Sequence, residues 1–419
     1  MNHFEYRDGV LHCEDVSLEA IAASVGTPAY VYSTATLERH YDVFKAAFAP
    51  RDVSVAFAVK ANSNIAVLNT LARKGAGADT VSQGEIVRAL RAGVPAGCII
   101  FSGVGKTETE LRFAIESGVH QINVESAAEL AMLSRVAADL QKRASVAIRV
   151  NPDVGAGGHD KISTGKSDSK FGVSPDDALA LYAHADSDPW LDAKGLAVHI
   201  GSQIKSLEPL EAAFRVMRGM VEGLRHEGVQ IERLDLGGGL GVPYFHEPEP
   251  PSPADYAAMV LKVMDGLDVK LSFEPGRLIA GNAGVLISRV IRLQERSDRR
   301  FLVLDAAMND LIRPAMYDAF HEIRAVREPQ SDAREKFDVV GPICETGDTF
   351  TRGRALPPLG AGDLVAFLTA GAYGAVMAST YNSRALVPEV LVRGDKFTVV
   401  RQRWELEDQL ALETIPDWS

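Results

Sequence analysis

A chain of 419 residues, 46% hydrophobic and 24% charged, has ordinary globular composition and enough length for two or three domains around a large core. Its formal net charge of -12 weighs against a nucleic-acid or anionic-membrane surface, both of which want clustered Lys and Arg, while leaving local basic sites open. No apolar run reaches membrane-span length, and Met1 to Ala20 carries Glu5, Arg7, Asp8, Glu14, Asp15 and Glu19 where a signal peptide needs an apolar core, so a cytoplasmic protein is expected.

Cys13, Cys98 and Cys344 are too few and too scattered for a disulfide framework or a zinc site, and no metal is expected. A short polar start runs to Thr27-Pro28, after which Tyr30-Val-Tyr32 reads as a strand. Val53-Ser-Val-Ala-Phe-Ala-Val-Lys60 is then an apolar, β-branched run of the kind buried on both faces of a parallel sheet, ending abruptly in a lysine. Further apolar segments follow near 78 to 80, 98 to 101, 121 to 124, 145 to 150, 196 to 199, 233 to 236 and 270 to 274, with helical periodicity between them.

The intervening helices show their starts. Ser82-Gln-Gly-Glu85, Thr107-Glu-Thr-Glu110 and Ser126-Ala-Ala-Glu129 each fit a reciprocal capping box, and Ser174-Pro-Asp-Asp adds a cap with proline at the first helical position. Eight strands alternating with helices predict an α/β fold, a closed TIM-type (β/α)8 barrel, with an open doubly wound sheet as the alternative that periodicity leaves standing. After about residue 282 the rhythm changes to β-branched runs at 285 to 292, 301 to 304, 364 to 368, 386 to 392 and 396 to 400, predicting a C-terminal, mostly β domain. The expected boundaries are 29 to 282 for the barrel, with 1 to 28 and 283 to 419 forming the second domain. His246 to Pro253 and Glu328 to Glu335 read as surface loops.

In a (β/α)8 barrel the strands' C-terminal ends form the rim where active sites are built, and a desolvated lysine there can form a Schiff base. Lys60, Asp79, Arg149, His199, Gly237-Gly-Gly239 and Glu274 all close apolar segments at that rim. Singly, each has a structural reading: a solvated lysine, a helix cap, an ion pair, a core histidine, a turn. Jointly they are harder to dismiss. Gly237 to Gly241 and Glu274-Pro-Gly-Arg277 offer bare backbone N–H groups and a guanidinium suited to a phosphate, so lysine, cradle and buried carboxylate together are the parts that hold pyridoxal phosphate.

Ala58-Val-Lys60-Ala-Asn62, Ser82-Gln-Gly-Glu85, Asn123-Val-Glu-Ser126, Ser163-Thr-Gly165 with Ser169-Lys-Phe-Gly172, His199-Ile-Gly-Ser202, Gly237-Gly-Gly239, Glu274-Pro-Gly-Arg277, Cys344-Glu345 and Gly371-Ala-Tyr-Gly374 lie in order over nearly the whole chain. Together they closely resemble the diaminopimelate decarboxylase family of fold-type III pyridoxal-phosphate enzymes. The resemblance implies a barrel like that of alanine racemase and a β domain that completes the active site and a homodimer interface. The implied reaction is conversion of meso-2,6-diaminopimelate to L-lysine and carbon dioxide, the last step of lysine biosynthesis.

By that resemblance Lys60 carries the cofactor, His199 stacks on its ring, and Ser202, Gly239, Gly276 and Arg277 reach its phosphate. Asp79, Arg149, Gly238, Glu274 and Tyr373 complete the expected cofactor-binding set. Arg277, Arg313, Tyr317 and Tyr373 look like substrate-binding residues, Glu345 reads the far amino group, and Cys344 is the proton donor, supplied across the dimer interface.

A glutamate at 274 favours an electron-sink ring and hence decarboxylation over racemisation. The rival readings are a decarboxylase of another basic amino acid or of a carboxylated polyamine, which does not need Arg313, and a non-catalytic homologue, which would be expected to lose Lys60, Cys344 or the clamp. One departure from the family is Gly155-Ala-Gly-Gly-His159, glycine-richer than expected before Ser163-Thr-Gly165.

Overall fold

In the computed structural model, which describes residues 2–155, 164–165, 169–244 and 249–418, the eight apolar segments are eight parallel strands. They are Val53–Ala58, Gly77–Thr80, Ile99–Phe101, Gln121–Val124, Ala144–Val150, Leu191–Val198, Arg233–Asp235 and Lys270–Phe273. Each pairs with its sequence neighbour, and Leu271 opposite Val53 closes the ring, so the structure is a barrel and the open-sheet alternative falls. The departure loop falls largely on residues 156–163, outside the described residues, as do 246–248 of the surface loop expected from His246 to Pro253.

The helices begin where their caps predict, but only one of the three boxes closes as expected. Thr107 and Glu110 exchange both bonds. At Ser82 and Ser126 the hydroxyl accepts from the third residue on, yet the glutamate reaches one residue further back, to the N–H of Val81 and of Glu125. The reason is backbone shape. Both caps are nearly fully extended (φ -158° and -163°, against -85° at Thr107), which turns the preceding N–H toward the helix.

By internal contacts the chain divides into two compact units: Glu38–Pro243 with Pro248–Ile279, which holds the barrel, and Met1–Leu37, Tyr244–Glu247 and Ala280–Ser419. The expected barrel start at residue 29 is moved. Ala29–Ser33 is fully buried like a barrel strand, but it pairs antiparallel with Gly284–Glu295 and parallel with Glu389–Arg393. It therefore belongs to the β-rich unit.

That unit's main sheet runs in the order Thr349–Leu356, Glu335–Val340, Arg300–Leu304, Gly284–Glu295, Ala29–Ser33, Glu389–Arg393, Lys396–Arg401. Leu364–Phe367 also pairs with Gly284–Glu295 and carries Ile323–Ala325 on its other side. The chain's start, read as a short polar segment of the second domain, forms a three-stranded sheet from Phe4–Arg7, Val10–Cys13 and Val16–Ser17. Phe4, Leu11, Cys13 and Val16 from it join Val31, Val285, Ile287, Ala366 and Val390 in one apolar core. Burial in that core raises the Cys13 thiol well above its usual range, so it acts as a small hydrophobe rather than a nucleophile.

Candidate active site

The strand Val53–Ala58 runs into a 3-10 turn, Val59–Ala61, whose middle residue is Lys60. Its ammonium lies 2.6 Å from Asp79 Oδ2, on the adjacent strand, where Asp79 is fully buried. Parallel register explains the meeting, because Ala58 stands opposite Asp79 and the lysine follows two residues later at the rim.

Arg149, next to last in the fifth strand, forms an ion pair with Glu125, 2.9 Å away just after the fourth. Glu125 is a hub: the same oxygen accepts from Gly103 N, and its other oxygen accepts from Gly172 N. Phe171 covers the guanidinium, its ring centroid 4.9 Å from the Arg149 Cζ.

His199 follows the sixth strand. Gly238 N donates to its Nδ1 at 3.2 Å, which makes Nδ1 an acceptor and places the ring proton on Nε2. Burial first, then the charges of Lys60 and Arg149, hold the imidazole pKa well below the usual histidine range. The ring is therefore neutral.

Glu274 closes the eighth strand, beside Asp235 at the end of the seventh. Asp235 Oδ1 accepts from Gly237 N at 2.9 Å, but Asp235 Oδ2, Glu274 Oε1 and Asp79 Oδ1 are buried with no hydrogen-bond partner. Asp235 and Glu274 can satisfy each other only by sharing a proton. Burial, followed by the neighbouring acids Asp235 and Asp79, pushes Glu274 well above the carboxylate range, and burial raises Asp235 to about 6.

Between these groups lies bare backbone. A Cβ on Gly238 would sit 2.3 Å from the Glu274 carbonyl oxygen, and Gly239 has φ +115° with Gly201 O at 2.6 Å from any added Cβ. Gly276 is walled by the methyl groups of Ala58 and Ala61. Arg277 reaches Ser202 Oγ through Nη2 at 3.3 Å, so guanidinium, hydroxyl and glycine turns lie together in the barrel unit. All the expected barrel-side residues are thus brought to one rim.

The remaining expected residues belong to the β-rich unit. Arg313 opens the helix Arg313–Tyr317 and is buried; its Nη1 donates to Tyr244 Oη at 3.0 Å and to His321 Nε2 at 3.2 Å. Tyr317 ends the same helix, partly exposed. Cys344 and Glu345 are exposed, with Cys344 N donating to Asn382 Oδ1 at 3.0 Å and Tyr381 Oη donating to Glu345 at 3.1 Å. Tyr373 has φ +56° within Gly371-Ala-Tyr-Gly374, where a Cβ on Gly371 would lie 2.0 Å from Ala280 O.

The model of the family described as pyridoxal-dependent decarboxylase, pyridoxal binding domain, matches residues 34–281. Over 419 residues, 99% of each chain, the sequence is 50% identical to a diaminopimelate decarboxylase of Zymomonas mobilis. The chain belongs to the diaminopimelate decarboxylase family. A second family member, from Pseudomonas aeruginosa, is 49% identical over 99% of each chain. Among solved structures, the family's Helicobacter pylori enzyme complexed with L-lysine superposes with a TM-score of 0.91 at 39% identity, covering 94% of this chain and 98% of that one.

The family's cofactor fits the residues present. A buried acid oxygen without a donor, Glu274 Oε1, suits the N–H of a protonated pyridine ring, and the glycine turns beside Ser202 and Arg277 suit a phosphate. Glu125 and Asp235 were inside segments singled out in the sequence but carried no assignment there. The usable signal was an acid directly after an apolar residue at a barrel strand's C-terminal end, as in Asn123-Val-Glu-Ser126 and Leu234-Asp-Leu236.

Proposed function

We propose that this chain is a pyridoxal-phosphate-dependent carboxy-lyase converting meso-2,6-diaminopimelate to L-lysine and carbon dioxide, the last step of lysine biosynthesis. The observation that carries the reading is identity of 50% along the whole chain to an enzyme of that name. When bound, the cofactor supplies an aldehyde and a pyridine ring that accepts the electron pair left by departing carbon dioxide.

Lys60 Nζ is the amine for that aldehyde, and Asp79 holds it in place at 2.6 Å. Glu274, which resists ionising alone, would take the ring N–H as the partner of its orphan oxygen and so favour a protonated ring nitrogen. His199, neutral and pinned by Gly238 N, would face the ring without adding charge. Arg149 is held by Glu125 among the cofactor contacts. Ser202, Gly238, Gly239, Gly276 and Arg277 would hold the phosphate.

Arg313 and Tyr317 take the substrate's far carboxylate, with Arg277 and Tyr373 as further contacts, and Glu345 takes the far amine. Cys344 returns a proton, supplied across a homodimer interface. The support for these β-unit roles and for the dimer is the family resemblance. We also place the reaction in the cytoplasm, where small polar metabolites of amino-acid synthesis are handled. Among the described residues no helix is long and apolar enough to cross a membrane.

The test is purified protein with pyridoxal phosphate and meso-diaminopimelate, following carbon dioxide and L-lysine, beside parallel reactions with L-ornithine, L-lysine and a carboxylated polyamine. Lysine formed selectively from diaminopimelate is the expected result. Turnover of another amine instead would overturn the substrate assignment.

A further inference from the structure

Arg313 sits at 6% exposure, where a guanidinium needs its hydrogens placed, and both Nη1 hydrogens go to neutral acceptors: Tyr244 Oη and His321 Nε2. His321, 4% exposed, can accept there because its other nitrogen is committed. Its Nδ1 lies 2.9 Å from the carbonyl oxygen of Leu368, a group that only accepts, so Nδ1 carries the proton and Nε2 the lone pair.

The backbone around this bridge is itself fixed. Leu368 N donates to Glu322 O at 2.8 Å, continuing the pairing of Ile323–Ala325 with Leu364–Phe367. The imidazole thus ties Arg313 to a sheet strand. Tyr244 adds a second tie, its ring edge-on to His321 with centroids 6.2 Å apart and 5.7 Å from the Arg313 Cζ.

We propose that His321 is a positioning residue for the far-carboxylate clamp: it fixes the plane of the Arg313 guanidinium through Nη1, so that the Nε and Nη2 edge meets a carboxylate two-pronged. A neutral acceptor is suited to this task. A carboxylate in place of His321 would orient Arg313 equally well but would cancel its charge and compete with the substrate's carboxylate. The proposal rests on the reading of Arg313 as a substrate contact.

The test uses the holoenzyme with three ligands that differ at the far end. meso-Diaminopimelate and L-lysine both carry the far carboxylate, whereas pentane-1,5-diamine carries none. His321→Met, which keeps bulk and removes the acceptor, should raise KM for diaminopimelate and Ki for L-lysine on the order of tenfold or more, the scale of a lost hydrogen bond to a charged group. kcat should fall less than KM rises, and Ki for pentane-1,5-diamine should stay within about twofold. His321→Gln, whose amide oxygen can stand near Nε2, should recover most of the loss.

Arg313→Ala is run alongside. If it leaves KM and the L-lysine Ki unchanged, the clamp reading itself is wrong and the proposal goes with it. If Arg313→Ala shifts both and His321→Met shifts neither, Arg313 binds the carboxylate without help from His321. Equal weakening of all three ligands in His321→Met would make the histidine a general structural element, which also overturns the proposal.

Discussion

Replacing Asp235 with Asn should stabilise the cofactor-stripped protein, and more so at high pH. Asp235 is 1% exposed, and burial raises its carboxyl from 3.8 to about 6. Because the folded pKa lies above the unfolded one, the folded protein keeps a proton between these values that the unfolded chain has released. Stability therefore falls as pH rises from about 4 to about 6 and stays at the lower level above that. At about 1.4 kcal/mol per pKa unit, the penalty is about 3 kcal/mol at pH 8 and roughly half of that at pH 5.

Asparagine preserves the acceptor for Gly237 N, now made at 2.9 Å by Oδ1, and puts an amide donor where Asp235 Oδ2 has no partner, next to the equally unpartnered Glu274 Oε1. Urea unfolding of wild type and variant at pH 5 and pH 8 measures the difference. The gain should be larger at pH 8 by about 1 to 2 kcal/mol. A gain that is the same at both pH values, or a variant less stable at pH 8, would refute the view of Asp235 and Glu274 as a strained acid pair.

Lys60→Ala should abolish both turnover and the long-wavelength absorbance of bound cofactor; a variant that kept the chromophore and full rate would remove Lys60 from the mechanism. Glu125→Gln leaves the nearly buried Arg149 charge without its carboxylate and should lower stability by about 3 kcal/mol, read by denaturant unfolding. A loss under about 1 kcal/mol would mean that Arg149 finds another partner. Gly238→Ala drives a methyl group into the Glu274 carbonyl, which lies 2.3 Å from the built Cβ, and should weaken cofactor binding at least tenfold by fluorescence titration.

The barrel was legible because its strands are buried on both faces and separated by capped helices, so position along each apolar run also located the rim residues. Strand ends such as Lys60, Arg149 and His199 could be named on that basis alone. Other features depend on partners that sequence proximity does not reveal. Glu335–Val340 alternates buried Phe337 and Val339 with Lys336 and Asp338, and Thr349–Leu356 contains Arg352, Gly353 and Arg354, so neither stands out as an apolar run. The four-residue strands at the chain's start are too short for periodicity to register.

Glu125 and Asp235 lay inside segments singled out in the sequence but went unassigned, because what each holds is decided by neighbouring strands. His321 gave no signal at all: its role depends on a carbonyl 47 residues away at Leu368.

The parallel pairing of Ala29–Ser33 with Glu389–Arg393 has a consequence for biosynthesis. During translation at about 5–20 residues per second, that early strand emerges roughly 20 to 70 seconds before the partner that completes its second edge. The barrel's own segments are all made by residue 279, so it can close while the strand ahead of it still waits. A ribosome that stalls after the barrel therefore exposes a buried-type apolar strand with open hydrogen-bonding edges, the form most prone to pair with a neighbouring nascent chain.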